Sequence, residues 1–410
     1  MLSPPSDAWK LGLIPQAVAN GLTSILVLFF LLSALHGGLF DVGLVAGLSA
    51  LALIPSQMLW GRLVDGAGRC KPFLVFGFVG MGASLAAIPW AGSVTGLLAL
   101  VSLKSILYAA TVPARQLLTV ESERHAGWQR GLANMQFLTG IGETIGMGIG
   151  ALTVSVLGYT QLFLMCGGLC VLSAALLEVV AQEPGLMIQR RLVAMERSTS
   201  TLVTLSDFVS SPQRLSEGFA ASVLRQLEHS MKFLVVGILS FSLAGSALFS
   251  PLPAYFLRYY SSGLVFLLFF GGSLTGTLCY LVVGRLAQSA GKSLVLASAI
   301  RMVAMPVLLL SALGATPGLI VALVVLSTLE GFWSLFDVTS TFAFLESAQL
   351  GQAGFYGAIV GLGAAAGGVL GGFVSSQFGF GSLFVLCSAI CACAFLSFAL
   401  QFRSTGGFGW

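Results

Sequence analysis

"GRLVDGAGRCK" occupies positions 61–71, wedged between two stretches of almost unbroken apolar residues. Three glycines and four charges fill those eleven places, in a chain where charged residues make up only 8%. At 284–292, "GRLAQSAGK" repeats the outline, with Gln288 standing where the acid Asp65 stood. A polar turn written twice, 223 residues apart, asks what kind of chain needs it.

The surroundings answer first. The chain has 410 residues, 57% of them hydrophobic, and a mean hydropathy of +0.97. A soluble domain is about one-quarter charged. A chain this poor in charge cannot cover its surface in water, so lipid is its solvent. It is expected to be a multi-pass protein of the cell membrane with the lipid bilayer around it. The net charge of +4 points to no nucleic-acid partner. Six of the seven cysteines lie inside apolar runs without metal-binding spacing, so they read as small hydrophobes. No metal or other cofactor is expected. The first apolar run, about 24 residues, exceeds a signal segment and reads as a permanent span.

Apolar windows fall near 12–35, 42–60, 72–90, 96–114, 132–156, 160–180, 233–256, 262–283, 293–312, 317–338, 352–375 and 382–401. Each reaches the roughly 17–25 residues a helix needs to cross a bilayer. Helices are the sensible reading because lipid offers no partner to an unpaired backbone group. The expected fold is therefore all-α, with twelve transmembrane helices. Placing both termini in the cytoplasm puts sixteen of the nineteen Lys and Arg residues on the inner side and only Arg258 outside, with Lys104 and Arg301 inside spans.

The longest polar stretch divides the chain into residues 1–181, a connecting segment 182–232, and residues 233–410. The segment reads equally as a solvated linker or as surface-lying amphipathic helices. The two flanking parts repeat each other. At an offset of 221, Gly140, Gly142, Gly146, Gly150, Gly158, Phe163 and Cys166 meet Gly361, Gly363, Gly367, Gly371, Gly379, Phe384 and Cys387. The fifth span thus matches the eleventh, and the second the eighth. Two pseudo-symmetric six-helix bundles are expected.

Within the opening stretch, Gly66 and Gly68 permit a tight turn and Arg62, Arg69 and Lys71 hold it on the cytoplasmic side. Topology alone gives Asp65 no purpose. Here the chain resembles the major facilitator superfamily, whose second loop reads G-x-L-x-D-x-x-G-R-[RK]. Gly61, Leu63, Asp65, Gly68 and Arg69 fit that signature, while Cys70 replaces the last basic residue. "KSILYAATVPAR" at 104–115 resembles the family's fourth span, with Lys104 where Arg is common. In the fifth span "GETIGM" (142–147) departs from the G-P-x-x-G-G of many antiporters, with Glu143 replacing the proline. The resemblance implies a solute transporter. It also implies that Asp65 sits against the start of the eleventh span, where a helix dipole favours an anion. Asp65 and Arg69, with Arg62 and Arg115 nearby, would then form a cytoplasmic gating latch. A loop that only sets topology is the plain alternative.

Charges inside spans are expensive and default to functional roles. Lys104, Tyr108, Thr111 and Arg115 share a face of the fourth span; Gln16, Asn20 and Thr23 one of the first; Ser242, Ser246 and Ser250 one of the seventh. The tenth carries Glu330, Trp333 and Asp337. In the resembled family these four spans line the central cavity. That makes Gln16, Asn20, Lys104, Tyr108, Ser242, Ser246 and Trp333 candidate solute ligands. Glu330 and Glu143 become candidates for proton coupling. The alternative is structural: hydroxyls bonding their own helix, and ion pairs of Lys104 with Glu143 and Arg301 with Glu330 at matching depth. GKS at 291–293 is no phosphate loop, because Leu286 stands where Gly or Ala is required. With no ATP site and no nucleophile–base pair, the expectation is not an enzyme but a monomeric, gradient-driven carrier of a small-molecule substrate. A transporter-like sensor or scaffold without flux is the alternative from another class.

Overall fold

Lipid leaves a backbone no partner but itself, and the described residues are helical almost throughout. A computed structural model describes residues 7–67, 69–122, 128–181, 231–286, 290–313, 318–347 and 353–404. Most of the 182–232 segment and Gly68 lie outside the described residues, as does the Asp65 side chain. The described residues contain no strand. After a 3-10 turn at Asp7–Leu13 come α1 (Ile14–Ser33), α2 (Leu39–Ala67), α3 (Lys71–Ala87), α4 (Val94–Ala109), α5 (Thr111–Ser122), α6 (Trp128–Thr153) and α7 (Tyr159–Val180). Then follow α8 (Lys232–Phe249), α9 (Leu252–Leu257), α10 (Ser262–Leu286), α11 (Ala290–Leu313), α12 (Leu319–Ser347), α13 (Ala353–Gln377) and α14 (Gly379–Ser404).

Two expected spans are broken helices. The fourth turns at Ala110 between α4 and α5, three residues before Pro113, whose ring nitrogen cannot donate to the preceding turn. The Thr111 hydroxyl caps the break by donating to Tyr108 O at 2.8 Å. The seventh breaks between α8 and α9 at Ser250 and Pro251.

Eleven segments among the described residues are long and apolar enough to cross a membrane. The expected fifth span, α6, is not among them, although its 26 residues would reach about 39 Å. Gln129, Arg130, Asn134, Gln136 and Glu143 make it too polar. Three of its polar side chains are instead engaged by neighbouring helices: Glu143 by α1, Gln136 by α12 and Thr144 by α10.

Glycines set the helix spacing. A Cβ on Gly142 would lie 2.8 Å from Ile14 O, and one on Gly146 would overlap Val18 O, so α6 lies directly on the α1 backbone. Gly363, with Leu239 O 2.8 Å from such a Cβ, and Gly367, against Leu243 O, do the same for α13 on α8. Between α2 and α13, Gly43 faces Gly368 and Gly372, and Gly47 faces Ala365 and Gly368. Such small-residue seams are how helices bind where the hydrophobic effect is absent.

The apolar core differs at the two ends of the molecule. At the end away from Trp9 and Phe402, one cluster unites residues before and after the connecting segment: Leu26, Phe29, Met81 and Phe163 with Leu248, Phe256, Phe266 and Phe384. Phe29 and Phe266 meet edge to face at 5.5 Å. At the end holding Trp9 and Phe402 the core divides. Trp9, Leu74, Phe78 and Leu177 form one cluster; Ile238, Phe241, Phe344 and Phe398 form another. Ala133, Val283 and Val338 make a small bridge there.

Candidate functional site

Four charged residues of the spans lie at one level. Counted along their helices, Lys104, Glu143, Arg301 and Glu330 lie about 15–18 Å from the helix ends on the sealed side, and Asn20 about 20 Å. That is the middle of a bilayer.

On the N-terminal side, Asn20 Nδ2 donates to Glu143 Oε1 at 2.8 Å. Arg115 Nη2 donates to Tyr108 Oη at 2.9 Å, with the guanidinium carbon 5.3 Å from that ring's centre. Arg115 Nε is buried without a partner. Arg115 therefore reaches into this mid-membrane group from α5, and Glu143 and Asp337 lie within range of its charge. Lys104 is half-buried and makes no hydrogen bond or ion pair with any described residue, although Glu143 and the thiols of Cys166 and Cys170 are in its neighbourhood. The expected Lys104–Glu143 pair does not form. Glu143 spends its carboxylate on Asn20 instead, one helix closer.

On the C-terminal side, Asp337 Oδ2 accepts from Gln136 Nε2 at 2.7 Å and from Tyr280 Oη at 3.3 Å. The first of these bonds crosses from α6 to α12 and so ties the two parts of the chain together. Thr144, hydrogen-bonded to Ser273 at 2.8 Å and Thr277 at 3.1 Å, is a second tie between α6 and α10. The Glu330 carboxylate has no hydrogen-bond partner among the described residues; Arg301 and Glu143 are near enough for their charges to act on it. The expected Arg301–Glu330 ion pair is not made either. Arg301, with no exposed surface, lies among aromatic rings: its guanidinium carbon is 4.7 Å from the centre of Phe241, 5.1 Å from Trp333 and 5.5 Å from Phe249.

Some expected ligands are used for packing. Gln16 is 2% exposed, its backbone N–H bonded to Ser173 Oγ at 2.8 Å and its side chain against Met81. Ser246 donates to Ala364 O at 2.7 Å, joining α8 to α13. Thr23 bonds its own helix, and Thr111 bonds Tyr108 across the break between α4 and α5. Ser242 is buried beside Gly363, and its Oγ lacks a partner. Asn20, Lys104, Tyr108, Glu143, Tyr280, Glu330, Trp333 and Asp337 are all half-buried. These half-buried polar groups run from about 15 to about 27 Å from the helix ends on the sealed side, and several act on one another across the halves. Gln136 and Tyr280 escaped the sequence reading; the unusual polarity of α6 was the available signal for Gln136, and Tyr280 had none.

Lys71 and Glu178 make an ion pair at 3.2 Å, partly in solvent. Arg62 and Arg69 are exposed on the same side of the molecule. Apart from the buried Lys10 near the Trp9 end, the interior charges Lys104, Arg115 and Arg301 against Glu143, Glu330 and Asp337 balance in number without forming ion pairs with one another.

A helical body sealed at one end, divided at the other and charged in the middle has a known counterpart. A sequence profile of the Major Facilitator Superfamily matches residues 11–353. The chain belongs to that superfamily. It is accordingly a multi-pass membrane transporter and not an enzyme. Solved structures agree on the fold. A single-site mutant of the nucleoside transporter NupG aligns with a TM-score of 0.70 at 12% identity, covering 96% of this chain and 99% of that one. Tetrameric PepTSo2 aligns with a TM-score of 0.71 at 11% identity, over 97% of this chain and 96% of that one. Among curated proteins, none matches the sequence.

Proposed function

We propose that this superfamily member is a secondary active transporter, moving a small organic solute across the cell membrane by alternating access and driven by protons. One observation carries the reading: an apolar seal unites the halves at one end, while at the other the apolar core of the described residues is divided, with a small apolar patch, the Gln136–Asp337 bond and the approach of Gln57 to Gly357 between its parts. That contrast supports a rocking pair of six-helix bundles, residues 1–181 and 233–410, joined by 182–232, with both termini cytoplasmic. In this reading the structure is closed to the outside and opens inward when Gln136 lets go of Asp337. Asp65, Arg69 and Arg62 latch the outward-facing state, and the unit that works is the monomer.

Glu330 is the proton carrier in this scheme. Among the described residues its carboxylate has no hydrogen-bond donor, so its protonation is left to Arg301, Glu143 and whatever solvent reaches it. Glu143, held by Asn20, is less free to change. Asn20, Lys104, Tyr108 and Trp333 face the solute. The test begins with a melting-temperature screen of purified protein against nucleosides, peptides and organic ions, followed by flux of each stabilising solute in proteoliposomes. Glu330→Gln is expected to abolish pH-driven uphill accumulation while retaining exchange at zero gradient. Parental accumulation in that variant removes Glu330 from the mechanism. Stabilising solutes that never cross the membrane refute transport and favour a sensor.

A further inference from the structure

Arg301 stands apart from the other interior charges. A guanidinium stays protonated at any pH a cell meets, so it cannot escape burial by losing its charge. Burial of a cation is costly unless an anion or a full set of acceptors compensates it. The rings of Phe241, Trp333 and Phe249 supply π-faces, which attract a cation. They cannot accept the N–H bonds that radiate in the guanidinium plane. Of those donors, Nη2 has one long bond, 3.4 Å to Leu329 O, while Nε and Nη1 have no partner. The thiols of Cys387 and Cys391 and the carboxylate of Glu330 are in its neighbourhood, none of them in contact. Gly245 lies against this edge: a Cβ there would be 3.1 Å from both Arg301 Nη1 and Trp333. Trp333, on α12, is half-buried, with its ring 5.1 Å from the guanidinium carbon.

We propose that Arg301 is the anion-recognition residue of this carrier: its unpartnered N–H groups take the carboxylate of a monoanionic solute whose aromatic or apolar body rests on Trp333. A carboxylate suits these donors because its two oxygens accept parallel N–H bonds from one guanidinium. Trp333 swings aside to admit it. The proposal rests on the transport reading and narrows its substrate class. The balance of charge agrees with it. With Lys104, Arg115 and Arg301 offset by Glu143, Glu330 and Asp337, one proton bound to a carboxylate leaves a single positive charge that a monoanion neutralises.

The experiment is equilibrium dialysis of full-length protein in lipid nanodiscs with radiolabelled benzoate, phenylacetate and indole-3-acetate, each competed by its neutral amide and by inorganic phosphate. At least one carboxylate is expected to bind, with its amide at least tenfold weaker and phosphate a poor competitor. Arg301→Gln is expected to erase the preference for carboxylate over amide. Should that variant fail to fold, Arg301→Lys, which keeps the charge without the planar donors, is expected to weaken carboxylate binding several-fold. Trp333→Ala is expected to weaken the aromatic carboxylates while sparing the preference over amide. Binding of none of the three acids, equal competition by the amides or by phosphate, or parental affinity in Arg301→Lys would each overturn the proposal. Flux in proteoliposomes separates the two readings: carboxylate binding without flux refutes transport and leaves the site, whereas flux of neutral solutes without carboxylate binding refutes the site and leaves transport.

Discussion

Replacing Gly372 with alanine places a methyl group at the tightest crossing of α2 and α13, the seam that joins the two halves near the sealed end. The new Cβ would stand 2.6 Å from Gly43 Cα and 2.9 Å from both Gly43 N and Leu39 O. Carbon contacts are ordinarily at about 3.5–4.0 Å, so the two backbones have to part by about 1 Å. Packed sites resist such insertions by roughly 1–3 kcal/mol. At ~2 kcal/mol, the balance between sealed and open forms shifts about 30-fold, since each 1.4 kcal/mol is a factor of ten. The substitution helps α13 itself by up to about 1 kcal/mol of helix propensity. The expected effect is therefore conformational and not unfolding. Spin labels on Thr95 and Ser261, exposed at that end on opposite sides of the seam, report it by electron–electron distance. Gly372→Ala is expected to add a longer distance to the distribution, with the melting temperature little changed. Gly168→Ala on α7, where a Cβ meets nothing within 4 Å, is the control and is expected to leave distances alone. An unchanged distribution in Gly372→Ala would falsify the idea that glycine contact holds this end shut.

Two further outcomes follow from the polar middle. In a double-mutant cycle of Asn20→Ala with Glu143→Gln, melting free energies are expected to show coupling of about 1.5–3 kcal/mol, as for a hydrogen bond to a charged group; the cycle of Lys104→Met with Glu143→Gln is expected to come out near additive, and strong coupling there would restore the ion pair the structure lacks. Gln136→Leu removes the α6 donor to Asp337 and is expected to widen the end that holds Trp9 and Phe402, read as a longer distance between labels placed on α6 and α12 there; an unaltered distance would mean the bond is incidental.

Much of this architecture was legible from residues alone. Composition made lipid the solvent, and the repeated loop at 61–71 with the matching glycines of α6 and α13 located the helices that pack most closely. The helix break at Ala110 was foreshadowed by Pro113 but hidden by an apolar window that runs through it. The site was legible by type and not by partner. Depth along a helix brought Lys104 level with Glu143 and Arg301 level with Glu330, yet depth says nothing about azimuth. Asn20 reached Glu143 first, and aromatic rings surrounded Arg301. Gln16 shares a helix with Asn20, and Ser246 one with Ser242, but they turn toward Met81 and Ala364, which a stripe of i, i+4 polar positions does not distinguish. Asp337 was seen on its helix, but its donors came from two others far away in sequence.

The seal made by Phe29, Phe266, Leu248, Phe256 and their neighbours gives this protein a thermal character. Parting it means hydrating apolar surface, a process whose heat capacity change is large and positive. Hydrophobic closure weakens on cooling, so the sealed form loses ground in the cold as well as under destabilising heat. In the alternating-access reading proposed above, the equilibrium between the two faces is then a curve against temperature and not a straight line, and a turnover rate extrapolated from a warm membrane to a cold one would misjudge how often that end stands open.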